Sequence, residues 1–276
     1  MKGNVEPISG AVLADDDPVG VTARAVLEAE GVEVSRIVTL LERDGTRIDG
    51  VVVHGSVAVD AWKALRAARD RSGRHPVIVG DEAALESLRE VCADEAAAVP
   101  GEVLRRAAAI DPVAALGEHR AQHLDESGAE VPHEEWDEED ERITEERAAE
   151  MRFSAGRDVL SGEPLPEVAI ALLPTRDGWE AAAWLGFGGW NECPPPEEHV
   201  ALLRRWYERW GAEVVSMGRD VIEAHVEAPP KSVGEARALA EEHYAYAPDI
   251  VDQGTGSIER LTASLVASQV WFFWWD

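Results

Sequence analysis

Hydrophobic positions along this chain change their spacing several times, and each change predicts an element. "TARAVLEAE" carries its apolar residues at helical intervals and is closed by Gly31. "SRIVTLLERDGTRIDGVVVHG" predicts two strands around an Asp44-Gly45 turn, the dipeptide that tight hairpins favour. In "SVAVDAWKALRAARDRSG", Val59, Trp62 and Leu65 share a helical face that ends at Gly73. "HPVIVG" reads as a short strand of the fully buried type. Asp81 is placed to cap a helix with Leu85, Leu88 and Val91 on one side, and another helix follows Pro100. The order strand, strand, helix, strand, helix is that of a mixed α/β unit.

The pattern tightens after residue 167. "EVAIALLP" and "EAAAWLGF" predict strands. Pro196 fits a first helical residue, and Val200, Leu203, Tyr207 and Trp210 line the helix it opens, which Gly211 ends. "AEVVSM" and "DVIEAHVEA" flank Gly218-Arg219 as a hairpin. Ser232 and Glu235 make a capping box for a helix running through Leu239 and His243. A further helix after Ser257 carries Ile258, Leu261 and Leu265 on one side. The chain closes on "VWFFWWD". As a strand it would put Trp271, Phe273 and Trp275 on one face and Val270, Phe272 and Trp274 on the other, apolar on both sides. Five exposed rings in a row would exceed the apolar patch that soluble proteins usually carry. The fold class this predicts is α/β or α+β, a mixed β-sheet covered by helices, with the C-terminal strand buried in the sheet.

Composition sets further bounds. The 276 residues fit one large domain or two ordinary ones. Three regions are expected: residues 1–124 as an N-terminal mixed α/β region, 125–166 as an acidic helical or linker segment, and 167–276 as a Trp-rich α+β module. Eight of the ten tryptophans fall between Trp179 and Trp275. Residues 125–150 hold 13 acids against two arginines, the mark of a solvated stretch. The net charge of −28 repels phosphate backbones and anionic lipid, so neither nucleic acid nor membrane is an expected partner. A protein partner, basic in character, is compatible with that charge. Arg outnumbers Lys 23 to 3, which suggests a GC-rich bacterial genome. Cys92 and Cys193 cannot make a disulfide framework, and no apolar stretch of signal-peptide or membrane-spanning length stands out, so the cytoplasm is the expected location.

One resemblance adds to this. "LGFGGWNECPPPEEHVALLRRWYERWGAEVV", then "YAPDIVDQG", then "WFFWWD" resemble, in the same order, blocks of the bacterial family called domain of unknown function 4253. The likeness covers about residues 168–276, and a looser one extends to "AWKALRAARDRSGRHPVIVG". The family implies no chemistry. Its members tend to carry Tyr-Cys-Pro-Asp where this chain has Tyr246-Ala247-Pro248-Asp249. The departure implies that any thiol role at that position is lost here, and that Ala247 fills a small core position.

Candidate chemistry is sparse. "GFGGWN" lacks the Lys-Ser/Thr of a P-loop and the third glycine of a dinucleotide loop, and it precedes prolines and acids. It reads as a tight loop around Trp190. Cys193 and His199, six apart across a helix start, could form a thiol–base pair with Asp249 as the orienting group, but no oxyanion donors accompany them. His225 and His243 read as structural. Asp15, Asp16 and Asp17 read as a solvated turn. His133-Glu134-Glu135 lacks the second His of a zinc helix, so no metal and no cofactor is expected. Asp249 and Asp252, three apart before Gly254-Thr255-Gly256, hold a turn or bind a ligand. With Trp190, Asn191, Tyr246 and Gln253 they are the ligand-binding candidates, offering stacking faces and hydrogen bonds. No catalytic residue is nominated. The expected function is a non-catalytic protein-binding or accessory module. The alternatives are a small-molecule binder or enzyme using the Trp190–Asp249 region, and an acidic mimic of nucleic acid built on the strip 125–150.

Overall fold

The structure, a computed structural model, describes residues 6–93, 98–127 and 152–276. Eight strands form one mixed sheet: β1 (Ala11–Val12), β2 (Arg36–Arg43), β3 (Thr46–Val53), β4 (His75–Gly80), β5 (Val168–Leu173), β6 (Ala212–Met217), β7 (Val221–Val226) and β8 (Val270–Trp274). Their order is β1-β2-β3-β5-β4-β6-β7-β8. The pairs β1–β2, β2–β3, β3–β5, β5–β4 and β7–β8 are antiparallel, and β4 and β6 pair in parallel. The described helices are α1 (Pro18–Ala29), α2 (Ala58–Ala67), α3 (Arg69–Ser72), α4 (Glu82–Ala93), α5 (Pro100–Ala107), α6 (Pro112–Ser127), α7 (Ala181–Leu185), α8 (Pro196–Trp210), α9 (Val233–Tyr246) and α10 (Ile258–Leu265).

The chain divides into two compact units. The first comprises residues 1–105, 154–187 and 214–219, the second 106–153, 188–213 and 220–276. In the first unit the Asp44-Gly45 turn joins β2 to β3 with φ of 48° and 68°, the paired positive angles that match strand twist. Asp17 caps α1 by accepting from the backbone N–H of Val19 and Gly20. Arg47 then bridges Asp17 to the buried Asp49. Whether the N- and C-terminal parts share a sheet is not readable from sequence. Strand β5 decides it. It lies between β3 and β4, all six of its residues are buried, and its unbroken apolar run is what a central strand requires.

One expectation is corrected here. "EAAAWLGF" is not a strand. A 3₁₀ turn (Gly178–Glu180) leads into α7, which ends at Gly186 in the left-handed conformation, φ 64°. Ala181, Ala182 and Ala183 are fully buried. Alanine is the strongest helix former and a weak strand former, and three in a row outweigh the local apolar density.

In the second unit α9 packs against α10 and α6, and α6 also packs against α8. Ser232 caps α9, accepting from the Glu235 N–H, while Glu235 reaches back to the Lys231 N–H. Strand β8 lies in the sheet beside β7. Its two faces differ. Trp271, Phe273 and Trp275 are 0–1% exposed, whereas Phe272 on the opposite face is 39% exposed. The apolar pattern on both faces is thus covered fully on one side only. The acidic strip beyond Ser127, with His133-Glu134-Glu135, lies outside the described residues.

Candidate functional site

The second unit is organised by aromatic packing. The apolar stripe of α8 lays Trp206 flat on Phe273, with centroids 5.3 Å apart and planes within 5°. Tyr246, His243 and Trp271 meet Trp206 edge-on at 5.0, 5.0 and 6.1 Å. Offset stacks and T-shaped contacts suit the ring quadrupoles and add stabilisation beyond burial. The Trp206 indole N–H donates to Glu242, and that of Trp275 donates to the Tyr246 carbonyl. His243 has no hydrogen bond at Nε2, and burial lowers its pKa to about 3, so it packs as a neutral ring. Ala247 is fully buried, as a small core residue would be.

Beside this cluster runs a buried chain of polar side chains. Cys193 Sγ lies 3.4 Å from His199 Nε2, and His199 Nδ1 is hydrogen-bonded to the Tyr246 hydroxyl. The third position of the imagined triad is therefore held by Tyr246, while Asp249 is used elsewhere. Cys193, His199 and Tyr246 are 4%, 0% and 1% exposed. Burial pushes the Cys193 thiol and the Tyr246 phenol well up. Burial, with the nearby His119 charge, lowers His199 to about 3. The group is a neutral thiol, a neutral imidazole and a neutral phenol, so it holds no thiolate nucleophile. The glycine loop that precedes it is closed upon it. Gly188 has φ 107°, and a Cβ there would meet the Pro194 carbonyl oxygen at 2.2 Å and the His199 ring at 2.6 Å. The Gly189 N–H donates to the Pro194 carbonyl, so it is not presented to an anion.

The nominated residues divide. Asn191 and Asp249 bind the backbone of Asp276, and Gln253 holds Asp249. The Asn191 amide donates to the Asp276 carbonyl at 2.8 Å, the Asp276 N–H donates to Asp249 Oδ2 at 2.8 Å, and Gln253 donates to Asp249 Oδ1 at 2.7 Å. Asp252 instead accepts from the Tyr244 hydroxyl, which burial and then that carboxylate hold un-ionised. Tyr246 is in the core, and Trp190 is half-buried at the turn where the Cys193 N–H donates to its carbonyl. The turn holding Asp252 is a single π-helical stretch, Ile250–Thr255, closed by Gly256 at φ 82°.

This convergence has a consequence for the sheet edge. Strand β8 ends the strand order. The Trp275 N–H donates to Asp220, and the Gln269 carbonyl accepts from Val226. By alternation, the backbone groups of residues 269, 271, 273 and 275 face β7, and those of 270, 272, 274 and 276 face outward. The Ser268 hydroxyl satisfies both outward groups of Val270. Asp249 and Asn191 satisfy those of Asp276. Between these plugs the N–H and C=O of Phe272 and Trp274 have no partner among the described residues.

Next to the loop lies a cleft of about 350 Å³. His119 and Gln122 from α6, with Asn191, Glu192, Cys193 and Glu198, supply its polar lining. His119 Nε2 is 2.5 Å from Glu198 Oε2. Of the nominated residues only Asn191 lines it. His119, Gln122 and Glu198 were not nominated. Glu198 lies in the "PPPEEH" run, but its partner is 79 positions upstream, and nothing local signals that pairing. Among the described residues no group of three or more His, Cys, Asp or Glu side chains is placed to hold a metal ion.

These features define an α/β protein whose tryptophan-lined second unit carries an open sheet edge and a small polar cleft. Residues 169–276 match the family described as Domain of unknown function (DUF4253), the family resembled by the sequence blocks quoted above. No curated protein and no solved structure matches the chain.

Proposed function

We propose that this chain is a non-catalytic accessory module of the bacterial cytoplasm that takes an extended, basic segment of a partner protein onto the free edge of β8. The window at Phe272 and Trp274 carries the reading. Strand addition uses main-chain hydrogen bonds for affinity and neighbouring side chains for selection. Phe272, 39% exposed, offers an apolar contact beside the window. Asp249 and Asp276 lie at one end of it, and the chain's net charge of −28 attracts Lys and Arg. Each backbone hydrogen bond contributes only about 0.5–1.5 kcal/mol net, so binding through two residues is weak and salt-sensitive. The buried, neutral state of Cys193 and His199 supports a non-catalytic role.

The test places a photo-reactive phenylalanine analogue at position 272 and, as a control, at Val159, which is 92% exposed. Cross-links from position 272 alone, mapping to an extended Lys/Arg-rich segment, are the expected result. Equal labelling from both positions, or a cross-linked segment that is helical or acidic, would sink the idea.

A second reading, small-molecule binding, is favoured by the cleft. Its carboxylates and the His119–Glu198 pair suit a small polar ligand with a cationic group. A metabolite thermal-shift screen that stabilises the native chain but not Glu198→Gln would support this reading over the first. A ligand at 100 times its dissociation constant adds about 2.7 kcal/mol.

A further inference from the structure

The first unit contains a cavity of about 200 Å³. Pro18, Val19, Thr22, Ala23 and Val26 of α1 form one wall, Leu65 and Ala68 from α2 and its end form the other, and Leu172 of β5 lies among the lining residues. Its polar groups are Thr22, Arg71, Ser72 and Arg74, with no carboxylate. We propose that this cavity binds a small amphipathic carboxylate, its short hydrocarbon or aryl tail between α1 and α2 and its carboxylate at Arg71 and Arg74.

Three observations carry this. The volume is of the right size, because an apolar cavity of about 150 Å³ holds a benzene-sized molecule. The charge runs against the rest of the chain. In a protein of net charge −28, two arginines line this cavity without an acid among its lining residues. Those arginines are also available. The Arg71 guanidinium makes no ion pair or side-chain hydrogen bond among the described residues. Arg74 makes one long contact, Nη1 to the Leu172 carbonyl at 3.4 Å, which leaves further donors. A guanidinium with unused donors matches a carboxylate in shape and charge.

The adjoining surface fixes the orientation. A shallower groove shares Thr22, Val26, Ala68 and Arg71 with the cavity, and it is lined by Ala25, Ala29, Ala64 and Ala67 but also by Glu30 and Asp70. Those acids repel an anion. The headgroup therefore belongs on the Arg74 side of Arg71, and any length of tail beyond the cavity runs along the alanines.

The experiment titrates the full chain by calorimetry with straight-chain carboxylates of four to ten carbons, with benzoate, and with the alcohol and ammonium of matching length. Saturable one-to-one binding of the carboxylates is expected, tightening about fourfold per carbon until the cavity is full. The matching alcohol should bind at least tenfold more weakly, and the ammonium not at all. Arg71→Ala, an exposed change, should remove the preference for carboxylate over alcohol. Ala68→Leu, which fills the cavity, should weaken every member of the series at least tenfold. Absence of saturable carboxylate binding overturns the proposal, as does equal affinity for carboxylate and alcohol in the native chain. Should Ala68→Leu fail to fold, Arg71→Gln gives the same discrimination at the headgroup.

Discussion

Phe273 lies parallel to Trp206, ring on ring at 5.3 Å, and both side chains are fully buried. One comes from the strand β8, the other from the helix α8, so this stack joins elements that are distant in sequence. Large-to-small changes at such sites leave a cavity that the surroundings fill only in part. Phe273→Ala should cost about 3–5 kcal/mol. Phe272→Ala, one residue along but 39% exposed, should cost under about 1 kcal/mol. Guanidinium unfolding followed by tryptophan fluorescence measures both. Similar losses from the two variants would refute the one-sided burial of β8.

Acid should weaken the protein through two histidines. His199 and His243 have pKa values lowered by burial to about 3 from an ordinary 6.5. Between those values the unfolded chain binds more protons than the folded one, so stability falls as pH falls. The stabilisation is complete above pH 6.5 and is lost progressively toward pH 3. Glu82 and Glu167, whose pKa values lie below the usual 4.5 through their bonds to Ser9, Arg89 and Arg36, add to the loss only at lower pH. Within the interval from 4.5 to 6.5 each of these two histidines contributes a slope of up to about 1.4 kcal/mol per pH unit. Chemical denaturation at several pH values should show that slope, and His243→Phe should reduce it by one such contribution. An unchanged slope in that variant would show that His243 is charged or wet in the folded state.

Much of this was readable in advance where the signal is local. The Asp44-Gly45 hairpin, the Ser232–Glu235 box, Pro196 as first helical residue and the αL Gly211 each follow from backbone preferences acting over a few residues. The strand β8 was legible because the aromatic run Trp271–Trp275 is too apolar to be left wholly in water. The short helix α7 was not, because alanines between apolar neighbours satisfy either period. The cleft was harder still. It depends on His119 meeting Glu198, a contact that no spacing rule reaches. Asn191 and Asp249, the latter held by Gln253, did come together, but on the Asp276 backbone, because a strand edge demands partners for its outward N–H and C=O groups.

Cys193 should be inert in the folded protein. The residue is 4% exposed, its thiol pKa is raised by burial, and the neighbouring His199 is neutral and cannot stabilise a thiolate. Cys92 is also raised by burial, though less enclosed. A disulfide reagent at pH 8 should therefore label Cys193 only at the rate of unfolding, with both thiols reacting at once in denaturant. Mass mapping that finds Cys193 labelled within seconds in native buffer would overturn the neutral-chain description and restore the nucleophile reading.

The plugs at the two ends of the β8 edge should matter for solubility as well as stability. Open edges with unpaired backbone groups template association, and proteins shorten or block them. Ser268 closes one end, and Asp249 with Asn191 closes the other. Removing the second plug by Asp249→Ala with Asn191→Ala frees the outward groups of Asp276 and lengthens the open run from two residues to three. The expected outcome is concentration-dependent self-association, seen as a rising mass in light scattering, with little change in far-UV circular dichroism. Adding Phe272→Lys to the pair should suppress it, because a charge on the edge blocks edge-to-edge pairing in the way natural sheets use lysine. If the double variant stayed monodisperse at high concentration, the hydrogen bonds to Asp276 would merely fix the chain locally. The window at Phe272 and Trp274 would then be too short to pair with anything, and the proposed partner strand would lose its seat.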